Sequence, residues 1–251
     1  MSNVKEVVRV GINNNFNCTS DEFTQVEGFK LVRSNAMFFV NSNIKTPKLL
    51  EINNHNVNVV VTVNPDITVD RKMVNKLYKL DQAKVSFVRV RYIPENESIN
   101  KLITELSEKG YKVVITVMRF KSNDSLSKFT KKSHYDFTFS WLRLKKEGME
   151  NLEKFIGSLK NVYICDAKGV GCAGCNLCSR LNTGEELTTF GLNLSCSGIC
   201  PFNCPDCYAK KMQIFLVASN KVPMKYDIIK QNEKQKGVTS HILHNKAILA
   251  A

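Results

Sequence analysis

Residues 85–120, VSFVRVRYIPENESINKLITELSEKGYKVVITVMRF, decide the fold. The segment begins with an apolar, β-branched run at Val85 and ends with a second run that starts at Val113. Between the two runs, apolar residues recur at the spacing of one helix face: Ile99, Leu102, Ile103 and Leu106. Ser98 is a plausible N-cap for this helix, and Gly110 is its expected terminator. The stretch therefore predicts one strand–helix–strand unit.

Similar apolar runs recur along the chain at intervals of 24 to 28 residues. They begin at Val57, Val85, Val113, Phe137, Val162 and Phe190. Each interval has room for one strand, one helix and two short loops, which is typical of βα units rather than of an antiparallel meander. We therefore predict an α/β protein whose repeated βα units form a mainly parallel sheet or a partial (β/α) barrel.

Three regions are expected from these patterns. Residues 1–56 carry candidate strands at Val7–Ile12 and Phe29–Val40 separated by Asn-rich turns, which predicts a small β-rich N-terminal elaboration. Residues 57–215 form the βα-repeat domain, and residues 216–251 form a basic C-terminal tail rich in Lys and Gln.

Eight of the nine cysteines fall between residues 165 and 207. The first group has the spacing C-x6-C-x2-C-x2-C and consists of Cys165, Cys172, Cys175 and Cys178. The second has the spacing C-x3-C-x3-C-x2-C and consists of Cys196, Cys200, Cys204 and Cys207. Thiolates that must meet at one metal need such short, turn-forming spacers, so all eight are predicted metal ligands. Cys18 stands alone and is interpreted as a bystander that takes no part in metal binding.

Each cysteine group directly follows a candidate strand, the first after the run at Val162 and the second after the run at Phe190. Parallel strands joined by right-handed crossovers bring their carboxyl ends to one edge of a sheet. We therefore expect both groups to open onto the same face. Zinc and iron–sulfur clusters both remain open, because four thiolates can close a tetrahedral zinc site or saturate a cluster. Whether Cys196 is a ligand is a second open question.

The sequence Cys200-Pro-Phe-Asn-Cys204-Pro-Asp-Cys207 resembles the cluster loop of the radical S-adenosylmethionine enzymes. The resemblance implies that Cys200, Cys204 and Cys207 hold three irons of a [4Fe–4S] cluster and that the fourth iron binds S-adenosylmethionine. The first cysteine group then resembles an auxiliary [4Fe–4S] site or a zinc site closed by four thiolates.

The combination of both groups also resembles a phage and mobile-element family of cysteine-rich, radical-SAM-like proteins with no established activity. In that family a spaced cysteine group ends in Cys-Tyr-Ala, as in Cys207-Tyr208-Ala209 here. The likeness covers residues 57–215. Because the family's cluster loop normally follows the first strand of the barrel, the resemblance implies a permuted order in which Phe190–Cys196 acts as that first strand.

The N-terminal sequence and the net charge bear on the location of the protein and on its partners. The N-terminus lacks the pattern of a signal peptide, and no apolar run approaches the roughly 18 residues that would span a bilayer. We expect a cytosolic protein without membrane contact, where thiols stay reduced and bind metal in preference to forming disulfides. The net charge of +13 has two interpretations, contact with nucleic acid and a solvated lysine surface.

Three functions are compatible with these patterns. The first is a radical SAM-type enzyme with an unknown substrate and an electron donor. The second is a structural double-zinc protein that contacts nucleic acid. The third is a non-catalytic electron-transfer or redox module with saturated clusters.

Overall fold

The computed structural model of the chain describes residues 6–11, 15–32, 34–64, 71–138, 141–165, 177–185, 187–193 and 213–217. The strands in these ranges are β1 (Glu6–Val10), β2 (Ala36–Asn43), β3 (Asn58–Val63), β4 (Val85–Tyr92), β5 (Val113–Val117), β6 (Tyr135–Thr138), β7 (Trp141–Leu144), β8 (Val162–Ile164), β9 (Thr188–Asn193) and β10 (Gln213–Val217). The α-helices are α1 (Ser20–Val32), α2 (Arg71–Tyr78), α3 (Glu97–Glu108), α4 (Asn123–Ser127), α5 (Lys146–Gly157) and α6 (Leu177–Thr183). Short 3₁₀ helices occupy Leu49–Asn54, Gln82–Lys84 and Lys132–His134.

The chain divides into two compact units. The first combines Met1–Val59 with Asp166–Ala251, and the second is Val60–Cys165. In the first unit the strand order is β10–β9–β1–β2. Strand β1 is parallel to both β2 and β9, and β10 is antiparallel to β9. The first unit is therefore assembled from both ends of the chain.

The second unit has the strand order β3–β4–β5–β8. Strand β5 is parallel to β4 on one side and to β8 on the other. Helix α3 links β4 to β5 and lies against both strands. The predicted α/β class with a mainly parallel sheet is confirmed.

The β4–α3–β5 segment follows the predicted strand–helix–strand pattern with one correction. All four predicted core residues of α3 are buried: Ile99, Leu102, Ile103 and Leu106. The N-cap is Asn96 rather than Ser98, since the Asn96 side chain accepts a hydrogen bond from Ile99 N at 3.0 Å. Gly110, with φ of +80°, follows the helix in the left-handed conformation that favours glycine.

The N-terminal region contains a helix as well as strands. Strand β2 begins at Ala36, not at Phe29, because residues 20–32 form α1. The helix starts with a capping box, in which Thr19 Oγ1 accepts from Glu22 N at 3.3 Å and Thr19 N donates to Glu22 Oε2 at 3.1 Å. Phe29, expected in a strand, is therefore a buried helical residue.

The run beginning at Phe137 was expected to be a strand of the parallel sheet, and this expectation is wrong. The run is divided between β6 and β7, which pair antiparallel in a separate two-stranded sheet. Tyr135 and Leu142 from this hairpin enter a small apolar cluster with Phe120. Among the described residues, no helix combines the length and apolar character needed to cross a bilayer.

Candidate metal centre

The second cysteine group follows a strand that lies beside β1. The register pairs Glu6 with Thr188 at one end and Val10 with Leu192 at the other. Because the two strands are parallel and in step, their carboxyl ends lie at the same edge of the sheet. Cys196 comes three residues after Asn193, the last residue of β9. The chain that carries the second group therefore leaves from the edge at which β1 and β2 also end.

Buried polar groups hold the loop after β1 at this edge. The side-chain amide of Asn41 donates to Val10 O at 3.2 Å and to Gly11 O at 3.0 Å. Phe16 N donates to Asn41 O at 2.7 Å, and Ser42 Oγ donates to Phe16 O at 2.7 Å. Each bond joins the loop to β2, so the backbone here is fixed by side chains that are themselves buried.

Cys18 belongs to the same buried network. Its Sγ lies 3.9 Å from Phe16 O and 3.9 Å from Ser42 Oγ, and the residue has a positive φ of 60°. Ser42 Oγ and Thr46 Oγ1 are also within hydrogen-bond distance, at 3.0 Å. The thiol of Cys18 is therefore a packed part of the loop.

Glu22 brings a carboxylate into the interior beside this loop. Burial raises its pKa, while hydrogen bonds donated by Thr19 N and Asn17 N, the latter at 2.9 Å to Oε2, act in the opposite direction. The carboxylate also closes the capping box of α1. This single side chain thus orients both the end of the loop and the start of the helix.

The first cysteine group begins at the carboxyl end of β8 in the second unit. Cys165 N donates to Ile115 O at 2.8 Å, which extends the β5–β8 ladder by one residue and sets Cys165 opposite Thr116. Cys165 is half-buried. Cys178, the last member of the group, lies on α6.

Three residues form a row across β4, β5 and the end of β8, on one face of the sheet in the second unit. We name them the Arg–Thr–Cys row: Arg91, Thr116 and Cys165. Arg91 is the register partner of Thr116, and Thr116 is in turn opposite Cys165. Side chains alternate between the faces of a strand, so Val90 and Ile115 lie on the other face, where both are fully buried. With strands spaced about 4.8 Å apart, the Cα atoms of Arg91 and Cys165 are roughly 10 Å apart.

This face is cationic and accessible at its carboxyl end. Arg91 is exposed, and Arg89, two residues earlier on the same face, has its Cζ 5.5 Å from the centroid of the Phe87 ring. The Thr116 hydroxyl is buried and has no hydrogen-bond partner among the described residues. Guanidinium groups and a hydroxyl donor suit an anionic ligand.

The row is also compatible with metal bound to the first group. Four thiolates carry more negative charge than a zinc ion neutralises, so neighbouring arginines are electrostatically favourable. The sequence analysis missed Arg89 and Arg91. The available signal was the pattern Val88-Arg89-Val90-Arg91, in which charges stand at alternate positions of an apolar strand.

Most of the predicted ligands lie outside the described residues: Cys172, Cys175, Cys196, Cys200, Cys204 and Cys207. Within the described part of the chain, no three His, Cys, Asp or Glu side chains are grouped closely enough to hold a metal ion. The two groups also follow strands of different units. Ligation by either group, and their opening onto a common face, stay predictions.

Comparison of the chain with protein-family models, with curated proteins and with solved structures gave no match.

Proposed function

We propose that the chain is an iron–sulfur protein of radical SAM type, with Cys200, Cys204 and Cys207 as ligands of a [4Fe–4S] cluster that binds S-adenosylmethionine. The observation that carries this proposal is the parallel pairing of β9 with β1. The resemblance implies a permuted order, in which the strand before the C-x3-C-x2-C loop acts as the first strand and the earlier strands complete the sheet. The membership of β9 in a parallel pair with β1, which comes from the other end of the sequence, supports that order.

The chemistry of the donor set fits this proposal. Thiolates are the preferred ligands of iron–sulfur clusters, and three of them leave one coordination position for a small molecule. When bound, such a cluster supplies an electron to that molecule. The contribution of this chain is to hold three thiolates on one loop that begins at a sheet edge, next to a β1 loop fixed by Asn41 and Ser42.

The first group, Cys165 with Cys172, Cys175 and Cys178, would hold a second metal, an auxiliary cluster or a zinc ion. The guanidinium groups of Arg89 and Arg91 lie on the face that Cys165 joins, and they would offset the negative charge of the thiolates. Both groups require reduced thiols, so the proposal includes a cytosolic location and an electron donor.

The test is metal analysis of anaerobically purified and reconstituted protein. We expect a brown protein with about four irons for each occupied cluster, and an EPR signal that changes when S-adenosylmethionine is added. The variant Cys204→Ala should lose the metal of the second group and the response to S-adenosylmethionine while the first group stays loaded. Cys165→Ala should do the reverse.

Cys18→Ala is the matched control, because it removes a buried thiol outside both groups. It should keep the full metal content and the EPR response. A colourless wild type with stoichiometric zinc would replace this proposal with the structural double-zinc function. Iron in Cys204→Ala at the wild-type level would show that the second group holds no cluster.

A further inference from the structure

Residues 118–138 and 141–145 lie between β5 and α5, and we name them the basic hairpin module. The module has its own apolar cluster, in which Phe120, Leu126, Tyr135 and Leu142 are buried together with Ile93. A two-way bridge between Phe120 and Leu142, with N–O distances of 3.1 and 2.8 Å, ties the β6–β7 hairpin to the chain that leaves β5. The module is therefore a packed structure and not a loose loop.

The module carries a large share of the net charge of the chain. Its basic residues are Arg119, Lys121, Lys128, Lys131, Lys132, Arg143 and Lys145, and its acidic residues are Asp124 and Asp136. The resulting net charge of +5 compares with +13 for the whole chain of 251 residues. Four of the lysines, at positions 121, 128, 131 and 132, are exposed. This density favours a polyanionic partner over a single small anion.

Two aromatic side chains near the tip of the hairpin accompany these cations. Phe137 is 68% exposed, and Leu31 is the other large apolar residue with comparable exposure among the described side chains. Trp141 begins β7 and lies under Lys121, whose Nζ is 5.5 Å from the ring centroid. The pair Phe137–Leu142 is the neighbour of the pair Thr138–Trp141. Both rings therefore belong to the same end of the hairpin, one on each of its faces.

We propose that the basic hairpin module binds single-stranded nucleic acid. Lysines neutralise phosphates, and aromatic rings stack on bases that are not already paired. A duplex is a poor fit, because α4 has only five residues and offers no helix long enough to read a major groove. The predicted metal ligands lie outside the module. Binding of nucleic acid and binding of metal can therefore be tested separately.

Trp141 is the only tryptophan of the chain, which makes its intrinsic fluorescence a reporter of this surface. Titration of the full chain with single-stranded DNA or RNA should quench that fluorescence. Binding should weaken steeply with salt, because each phosphate contact releases a counterion. A duplex of the same length should bind at least several-fold more weakly.

The lysine test compares two double variants with the same change in charge. Lys131→Glu with Lys132→Glu, inside the module, should weaken binding about tenfold or more and reduce the salt slope by about two. Lys101→Glu with Lys154→Glu, at exposed positions on α3 and α5, should weaken it less than about threefold. Equal losses in both double variants would overturn the proposal.

The aromatic test uses Phe137→Ala, which removes a mostly exposed ring and should leave the fold intact by circular dichroism. We expect about a fivefold or greater loss of affinity for the single strand. Unchanged affinity would contradict a stacking role. A response of Trp141 to anionic lipid vesicles, with none to nucleic acid, would assign the surface to a membrane and refute the proposal.

Discussion

The carboxyl ends of β1 and β2 differ from those of β4 and β5 in how their polar side chains are satisfied. At the first edge, Asn41 and Ser42 are buried, and their side chains donate hydrogen bonds to the backbone at the end of β1 and in the loop that follows. At the second edge, Arg91 is exposed and the Thr116 hydroxyl has no hydrogen-bond partner among the described residues. Polar residues at a strand end can thus serve either the fold or a ligand, and their partners distinguish the two roles.

The largest expected effect is at Asn41. Asn41→Ala removes two hydrogen bonds and leaves the carbonyls of Val10 and Gly11 without that donor, so the free energy of unfolding should fall by about 2–3 kcal/mol. Urea denaturation measures the change. Asn75→Ala, at an exposed position on α2, should change stability by less than about 0.5 kcal/mol. Similar losses of stability in both variants would show that the hydrogen bonds of Asn41 do not stabilise the first edge.

A smaller difference in stability is expected between variants that remove the buried hydroxyls of Ser42 and Thr116. Ser42→Ala should cost about 1–2 kcal/mol, since Phe16 O and Thr46 Oγ1 lose a partner. Thr116→Val should be neutral within about 0.5 kcal/mol or stabilising, since a hydroxyl with no hydrogen-bond partner in the described part of the chain is replaced by a methyl group of the same shape. Thermal denaturation of both variants decides this. A cost at Thr116 equal to that at Ser42 would contradict the contrast between the two edges.

An anion that binds at the second edge should raise the melting temperature, and replacing Arg91 should remove this gain with little loss of stability. Arg91→Gln should change the free energy of unfolding by less than about 0.5 kcal/mol, because the side chain is exposed. The wild type should gain melting temperature from inorganic pyrophosphate beyond the gain from chloride at equal ionic strength, and Arg91→Gln should lose most of that difference. An identical gain in both proteins would show that the guanidinium binds no anion.

The smallest effect concerns pH at the first edge. Burial raises the pKa of Glu22 above its usual value of 4.5, so the folded chain keeps this proton at a pH where the unfolded chain has released it. Between the two pKa values, the free energy of unfolding falls as the pH rises. Glu22→Gln lacks this titration, so the stability of the wild type relative to the variant should decline through that window. A relative stability that increases with pH would mean that the capping hydrogen bonds outweigh burial.

Local periodicity was sufficient to predict the β4–α3–β5 segment of the second unit. The spacing of Ile99, Leu102, Ile103 and Leu106 identified α3, and the β-branched runs identified β4 and β5. The N-cap was misplaced by two residues because Asn96 and Ser98 are both good capping residues. Only the position of the Asn96 side chain, at 3.0 Å from Ile99 N, distinguishes them.

Two elements could not be read from local pattern. The buried residues of α1, Phe23, Val26 and Phe29, recur every three positions, while the exposed Leu31 blurs the apolar face. The run at Phe137 was interpreted as one strand of the sheet because it is an apolar run at the spacing of the βα units. In the structure the run is divided into a hairpin, and Leu142 also pairs with Phe120, which is distant in sequence. For the same reason, the sequence analysis missed the association of Lys121 with Trp141.

The candidate metal centre shows a similar limit. The spacing of the cysteines identifies candidate ligands without a structure, because short spacers alone allow them to converge. The neighbours on the sheet face require register, which local sequence does not contain. Thr116 comes 25 positions after Arg91 along the chain, and Cys165 comes 49 positions after Thr116. Only the ladders of β4, β5 and β8 bring the three residues into one row.

The pairing of β1 with β9 has a consequence for biosynthesis. About 180 residues separate the two strands, so β1 leaves the ribosome long before its second neighbour is translated. At about 5–20 residues per second, the nascent chain would present one edge of β1 without β9 for roughly 10–40 seconds. An open strand edge invites pairing with other chains during that time, which would make rapid translation or a chaperone favourable for soluble yield.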